Sequence, residues 1–245
     1  MTDPLRRESG SAEPLYPQPR EPFLNIPGIV LAFIALNIAI HLVRAYVLTP
    51  QQDYILISYA AFVPAFYSGA YPLDIFSFTT PVTYSLLHGG LAHLALNMVW
   101  LAAFGSPLAN RIGAWRFVLF WTMTSLGAAA LHFAMHAGEP VPLVGASGAI
   151  SGMMGAAARY GFQIDRRAGV SRFAGHLLSI PQALSSRVVI VFLGVWFVVN
   201  LIAGFGFLGM GGGNAIAWEA HIGGFLVGFF CIGLFDRSQP DPASV

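Results

Sequence analysis

Charge is what this sequence has least of. Only 9% of its 245 residues are charged, and none of the 12 basic residues is a lysine; all are arginine. A soluble domain carries about 25% charged residues, so water is excluded as the main solvent. The net charge of +1 offers no basic surface for a polynucleotide, which excludes nucleic acid as a partner class. Cys231 is the single cysteine, so an internal disulfide, a thiolate metal cage and a CxxC redox pair are all excluded. Acidic residues are missing from the long apolar stretches, apart from Glu219 at the edge of the last one. With no internal repeat and no paired acids along a pore, a channel or transporter is a poor fit.

What is there is apolar: 56% of the residues are hydrophobic, and the mean hydropathy is +0.67. A helix needs roughly 20 mostly apolar residues to cross the hydrocarbon core. Six stretches qualify, at about 27–48, 90–107, 114–136, 147–164, 187–208 and 217–235. The expected fold is therefore an all-α membrane protein, a bundle of six transmembrane helices spanning residues 26–236. Residues 1–25 are polar and proline-rich with no apolar core. They are expected to be a disordered cytoplasmic tail rather than a cleaved signal peptide, with a second short tail at 237–245. The connection 49–89 carries Tyr54, Phe62, Phe66, Tyr71, Phe76 and Phe78. It is too irregular to span and too apolar for a solvated loop, so it is expected to lie in the membrane interface.

Arginine placement sets the direction. With the N-terminus cytoplasmic, Arg6, Arg7, Arg20, Arg111, Arg116, Arg159, Arg166, Arg167, Arg172, Arg187 and Arg237 all fall inside, and only Arg44 falls outside. Positively charged loops stay in the cytoplasm, so both termini are expected there. The lysine-free composition points to a bacterial inner membrane. The arginine-bearing 165–186 segment is expected to be a solvated, headgroup-facing connector.

Polar groups inside a bilayer are functional candidates by default. Three sets stand at the entrances of the second, fourth and sixth stretches: His88 with His93 and Asn97, Gly145-Ala146-Ser147-Gly148, and Ala220-His221 followed by Gly224 and Gly228. Chain parity places all three at one membrane face. Gly148-x-x-x-Gly152 and Gly224-x-x-x-Gly228 are small-residue pairs that let membrane helices pack closely. His221 can thus point across a glycine-lined contact toward Ser147, as a base must to take a hydroxyl proton. No acidic third member is available, since Glu219 is two positions from His221 and diverges from it on a helix. A Ser147–His221 dyad is left by elimination. His93 and Asn97, four apart on one face, can donate to an oxyanion together with the Ser147 backbone N–H.

Each feature also has a bland explanation. A glycine-rich turn accounts for 145–148 alone, a buried structural histidine for His221, and interhelical hydrogen bonding for His93 and Asn97. His132 and His136 have a spacing that can clasp a metal, but no HExxH motif or acidic partner accompanies them in sequence. They are expected to be interfacial histidines. Asn37, His41, Arg44 and Asn200 are expected to make structural polar contacts, and Cys231 to be a small packing residue.

Together, GASG at 145–148, AHxxGxxxG from Ala220 to Gly228, and His88-x4-His93-x3-Asn97 resemble the rhomboid family of intramembrane serine proteases, over roughly residues 27–235. The resemblance implies Ser147 and His221 as catalytic pair, His93 and Asn97 around the oxyanion, and a structural role for His88; Gly145, Gly148, Gly224 and Gly228 are expected to be structural residues near the site. It implies single-pass membrane proteins as substrates, cut near the outer surface in the lipid bilayer, with no metal or cofactor. Three positions depart from the family pattern. Ser151 stands where many relatives carry an aromatic ring, Leu108-Ala109-Asn110 has no glutamate, and the long first outer loop has no evident Trp-Arg pair. The alternative is a catalytically silent relative that binds membrane helices, although this chain keeps both Ser147 and His221.

Overall fold

A computed structural model describes residues 25–166, 169–204 and 217–236. The expected tails (apart from Asn25), the end of the fifth stretch at 205–208 and the 209–216 loop lie outside the described residues. The described chain is mostly helical. Four helical segments are long and apolar enough to cross a membrane: α1 (Gly28–Tyr46), the continuous run Leu91–Ile112, α6 (Ala114–Met135) and α9 (Arg187–Gly204). The run 91–112 is built from α4 (Leu91–Trp100), a π-turn at Leu101–Gly105 and α5 (Ser106–Ile112). It therefore ends later than the 107 expected, and Leu108-Ala109-Asn110 is helix rather than loop. A Cβ at Gly105 would come within 2.9 Å of Leu101 Cδ1, so the π-turn is tight where it passes its neighbours.

The remaining connections are short helices. Between α1 and α4 lie α2 (Pro50–Ala60) and α3 (Ile75–Thr83), opened by capping boxes at Thr49 and Asp74 respectively. The cap side chains satisfy amide donors that helix starts leave free. Eleven and nine residues are too few to span. Arg44, the one arginine on the outer side by the charge rule, is not free: it pairs with Asp53 at 2.7 Å and donates to the His88 carbonyl at 2.9 Å.

The fourth stretch forms α7 (Ser147–Arg159), only 13 residues long, with every residue after Ser147 buried. The helix stops five residues short of the expected 164. Its length follows from its surroundings, because it is solvated by protein and not by lipid. Gly148, Gly152 and Gly155 bring it against α6 and against α10 (Trp218–Cys231). A Cβ at Gly224 would overlap the Gly148 carbonyl, and one at Gly228 the Gly152 carbonyl. The α7–α10 contact is thus backbone on backbone, as the small-residue spacing demands. Gly223 meets α6 in the same manner, beside the Gly127 carbonyl. By contrast, α1 and α9 are peripheral: only Val30 and Asn37, and Val189 and Asn200, are buried on them.

The 165–186 segment is seated on the bundle rather than solvated throughout. Strands β1 (Ile164–Asp165) and β2 (Arg172–Phe173) pair antiparallel and lead into α8 (Ile180–Ser185). Phe173 is 1% exposed and stacks on Tyr160 with ring centroids 5.2 Å apart. Arg111 binds Asp236 through two nitrogens, at 2.8 and 3.2 Å, and also donates to the Phe173 carbonyl. Asn110 donates to the Ser171 carbonyl at 2.9 Å. These bonds hold the connector where no glutamate is present to do so.

Candidate active site

The approach to Ser147 is fixed by the backbone of two distant segments. Phe62 and Leu143 exchange a pair of backbone hydrogen bonds, at 3.3 and 2.8 Å, and the Gly145 N–H donates to the Tyr84 carbonyl at 3.0 Å. Tyr84 is itself anchored, its hydroxyl donating to the Ser125 carbonyl at 2.9 Å. Gly145 has a φ of +125°, and a Cβ there would lie 2.8 Å from the His93 ring. Both facts require glycine. The chain then turns into α7, so Ser147 opens a helix whose first amides have no intrahelical acceptor.

His221 Nε2 lies 2.8 Å from Ser147 Oγ. The other ring nitrogen, Nδ1, is bonded to the side-chain oxygen of Asn200. The Asn200 amide nitrogen donates to the Trp196 carbonyl at 2.7 Å, which fixes the amide's orientation and leaves its oxygen facing His221. An amide oxygen only accepts, so Nδ1 carries the imidazole proton. Nε2 is then left with its lone pair toward the serine hydroxyl. Four groups on three helices therefore form one hydrogen-bonded line: Trp196 and Asn200 on α9, His221 on α10, Ser147 on α7. Asn200, expected to be a generic polar contact, is the residue that sequence reasoning missed. Its only signal was a polar side chain in an otherwise apolar stretch, with nothing in the spacing to show which helix it faced.

His93 lies against Gly145 and thereby near Ser147. Asn97 is 4% exposed, and its amide nitrogen donates to the His93 carbonyl at 2.9 Å, leaving its second amide hydrogen outside that bond. His88 is buried, edge-on to the His93 ring with centroids 5.1 Å apart. Ser151 is buried one turn beyond Ser147. Position 151 thus offers His221 no aromatic ring; the imidazole is held instead through its bond to Asn200.

Glu219 turns away from His221, as the two-residue spacing requires, and it stands in the first turn of α10, at the edge of the stretch as expected, but it is buried. It is 3% exposed and lies 2.7 Å from His132 Nδ1 on α6. The expectation that no acidic partner accompanies these histidines is corrected twice: Glu219 meets His132 from 87 residues away, and Glu139, three residues on, lies 2.9 Å from His136 Nδ1. A buried carboxylate is present after all, on the opposite side of α10 from the Ser147 contact.

Comparison with known proteins gives a consistent assignment. The profile of the Rhomboid domain matches residues 76–238. Rhomboid protease GluP of Bacillus subtilis (strain 168) is 32% identical over 152 residues, covering 62% of this chain and 24% of that protein. RHOMBOID-like protein 6, mitochondrial, of Arabidopsis thaliana is 29% identical over 162 residues, covering 65% of the chain and 44% of the relative. RHOMBOID-like protein 5 of the same plant is 29% identical over 145 residues, covering 59% and 40%. In each case the match spans less than half the length of the curated relative.

Proposed function

We propose that this chain, which belongs to the rhomboid family, is an intramembrane serine endopeptidase that cuts single-pass membrane proteins. The observation that carries the reading is the line from Asn200 through His221 to Ser147 Oγ. Ser147 attacks the scissile carbonyl while His221 Nε2 takes the hydroxyl proton and returns it to the leaving amine. Asn200 plays the part of the third member, holding the tautomer without taking the proton. His93, the second amide hydrogen of Asn97 and the free N–H groups at the start of α7 are the donors nearest the developing oxyanion.

In this reading six segments cross the bilayer (α1, α4–α5, α6, α7, α9 and α10) with both termini in the cytoplasm. At 1.5 Å per residue the 13 residues of α7 measure about 20 Å, against a hydrocarbon core of about 30 Å. Ser147 then sits below the outer surface, and water must reach it through a polar opening in the bundle. A substrate helix has to unwind before its carbonyl can be attacked, because a helical carbonyl is already bonded. Substrates with helix-breaking residues near the cut are therefore preferred.

The test is cleavage of a single-span reporter, carrying a glycine-rich segment near its outer end, by the purified full chain in liposomes. Cleavage is expected for the native chain and for neither Ser147→Ala nor His221→Ala. Undiminished cleavage by Ser147→Ala would overturn the assignment. A silent helix-binding relative would instead retain the reporter uncut and leave Ser147 unlabelled by a serine-reactive phosphonate.

A further inference from the structure

A second polar cluster lies at the same end of the bundle as Ser147, on the α6 side of α10. His132 is in the last turn of α6 and His136 directly follows the helix end, with ring centroids 4.8 Å from each other. Glu219, in the first turn of α10, reaches across to both. Its Oε1 lies 2.7 Å from His132 Nδ1 and 3.4 Å from His136 Nε2. The far side of each ring is also engaged: His132 Nε2 lies 3.1 Å from the Val141 carbonyl, and His136 Nδ1 lies 2.9 Å from Glu139 Oε2.

Counting protons shows what the cluster is built to hold. All four ring nitrogens face acceptors, and a neutral imidazole carries only one N–H. A backbone carbonyl can only accept, so the His132 proton belongs on Nε2. The Glu139 carboxylate likewise places the His136 proton on Nδ1. With both rings neutral, His132 Nδ1, His136 Nε2 and the Glu219 carboxylate converge as three lone-pair donors, which either added protons or a metal ion has to bridge. Metal-ligating histidines characteristically give their outer N–H to a carbonyl or carboxylate, which fixes ring and tautomer. Both histidines here have that arrangement.

We propose that His132, His136 and Glu219 form a binding site for a zinc-class divalent cation, separate from the Ser147–His221 line. Two imidazole nitrogens and a carboxylate oxygen are a donor set that zinc accepts, with a fourth position left for water. All three ligand atoms lie within 4.8 Å of one another. Tetrahedral bonds of about 2.0–2.2 Å place ligand atoms about 3.4 Å apart, so the 2.7 Å His132–Glu219 contact has to open and any ligand pair standing wider than that, within the 4.8 Å limit, has to close as the ion enters. His136 is 29% exposed at its side chain, which gives the ion a way in. The occupied site would clamp α6 to α10 two residues before His221, beside the Val141 segment that leads to Ser147.

The experiment uses the full chain in detergent micelles, stripped with a chelator and titrated with zinc chloride, with bound metal and thermal unfolding measured. Because neither readout is proteolysis, the outcome is independent of the catalytic assignment. One zinc per chain is expected, with Tm raised by about 5–10 °C at a hundredfold excess over Kd. His136→Ala keeps the buried His132–Glu219 contact, and therefore the fold, yet should lose at least about 100-fold in affinity. Glu139→Gln should lose about 10–100-fold through its hold on His136. Cobalt added in place of zinc should give the intense visible bands of a tetrahedral site in the native chain and not in His136→Ala. Zinc binding that is absent, or unchanged in His136→Ala, would overturn the proposal.

Discussion

Asn200 accepts a hydrogen bond from His221 Nδ1 while its own amide nitrogen is tied to the Trp196 carbonyl at 2.7 Å. A neutral amide on a peripheral helix thus sets the tautomer of an imidazole on the next one. Replacing Asn200 with alanine frees the ring to rotate and removes the preference for a proton on Nδ1. We expect kcat to fall by about 10–100-fold, with KM little changed and the fold intact. Reporter cleavage kinetics, alongside an unfolding curve, check this. A loss confined to stability would show that Asn200 is only a packing contact.

The Gly145 backbone offers a sharper separation of chemistry from stability. At φ +125° and with the His93 ring 2.8 Å from where a Cβ would stand, Gly145→Ala must displace either the turn before Ser147 or the imidazole beside it. Activity should drop by at least about 100-fold, the scale of losing an oxyanion donor. His93→Ala should reach a similar loss by removing the ring itself. Single-turnover rates for the two variants and for their combination measure the coupling. A double variant much closer to either single one than to their product shows that they act on one unit.

Gly224→Ala and Gly228→Ala should act on the whole bundle. Each new methyl would overlap a carbonyl of α7, that of Gly148 or of Gly152, and neither backbone can retreat without separating α7 from α10. Overpacking on this scale costs about 1–3 kcal/mol, and the Ser147–His221 distance should lengthen with it. Lowered thermal unfolding together with lost cleavage is the expected pair of results. Gly194→Ala, on the lipid side of α9 with nothing within 4 Å of the added methyl, is the neutral control.

At the opposite end, Arg111→Gln leaves Asp236 with an uncompensated charge, since the native pair is joined at 2.8 and 3.2 Å with both side chains about nine-tenths buried. Removing one partner of such a pair costs about 3 kcal/mol. The β1–β2 connector should loosen while kcat per folded molecule stays unchanged. Hydrogen exchange over residues 164–173 and active-site titration report the two effects separately.

How much of this was legible in the sequence differs from one element to the next. Apolar length marked α1, α6 and α9 well, because lipid-facing helices must be apolar over their full extent. It overran α7, since a helix surrounded by protein is free to be shorter than the bilayer. It also misjudged α4–α5, whose last turn holds Asn110 and Arg111 and so breaks the apolar run while the backbone continues. Motif spacing singled out Ser147, His221 and the glycines between them, because close backbone approach leaves a strict small-residue signature. Asn200 and the Glu219–His132 contact leave none: each is one polar residue whose partner is on another helix, and no local periodicity encodes which helices are neighbours. The arginines of the two-stranded connector predict a solvated segment, and the buried Phe173 seats it on the bundle instead.

Every residue of α7 beyond Ser147 is enclosed by other parts of the protein. Lipid tails therefore touch the rim of the molecule, chiefly α1 and α9, and not the helix that carries Ser147. Thickening or thinning the host bilayer should tilt those outer helices while the depth of the hydroxyl within the protein stays constant. The bundle carries its own dielectric and its own frame of reference, so under the proposed function a change of acyl-chain length would act on how a substrate is presented and not on Ser147 and His221 themselves.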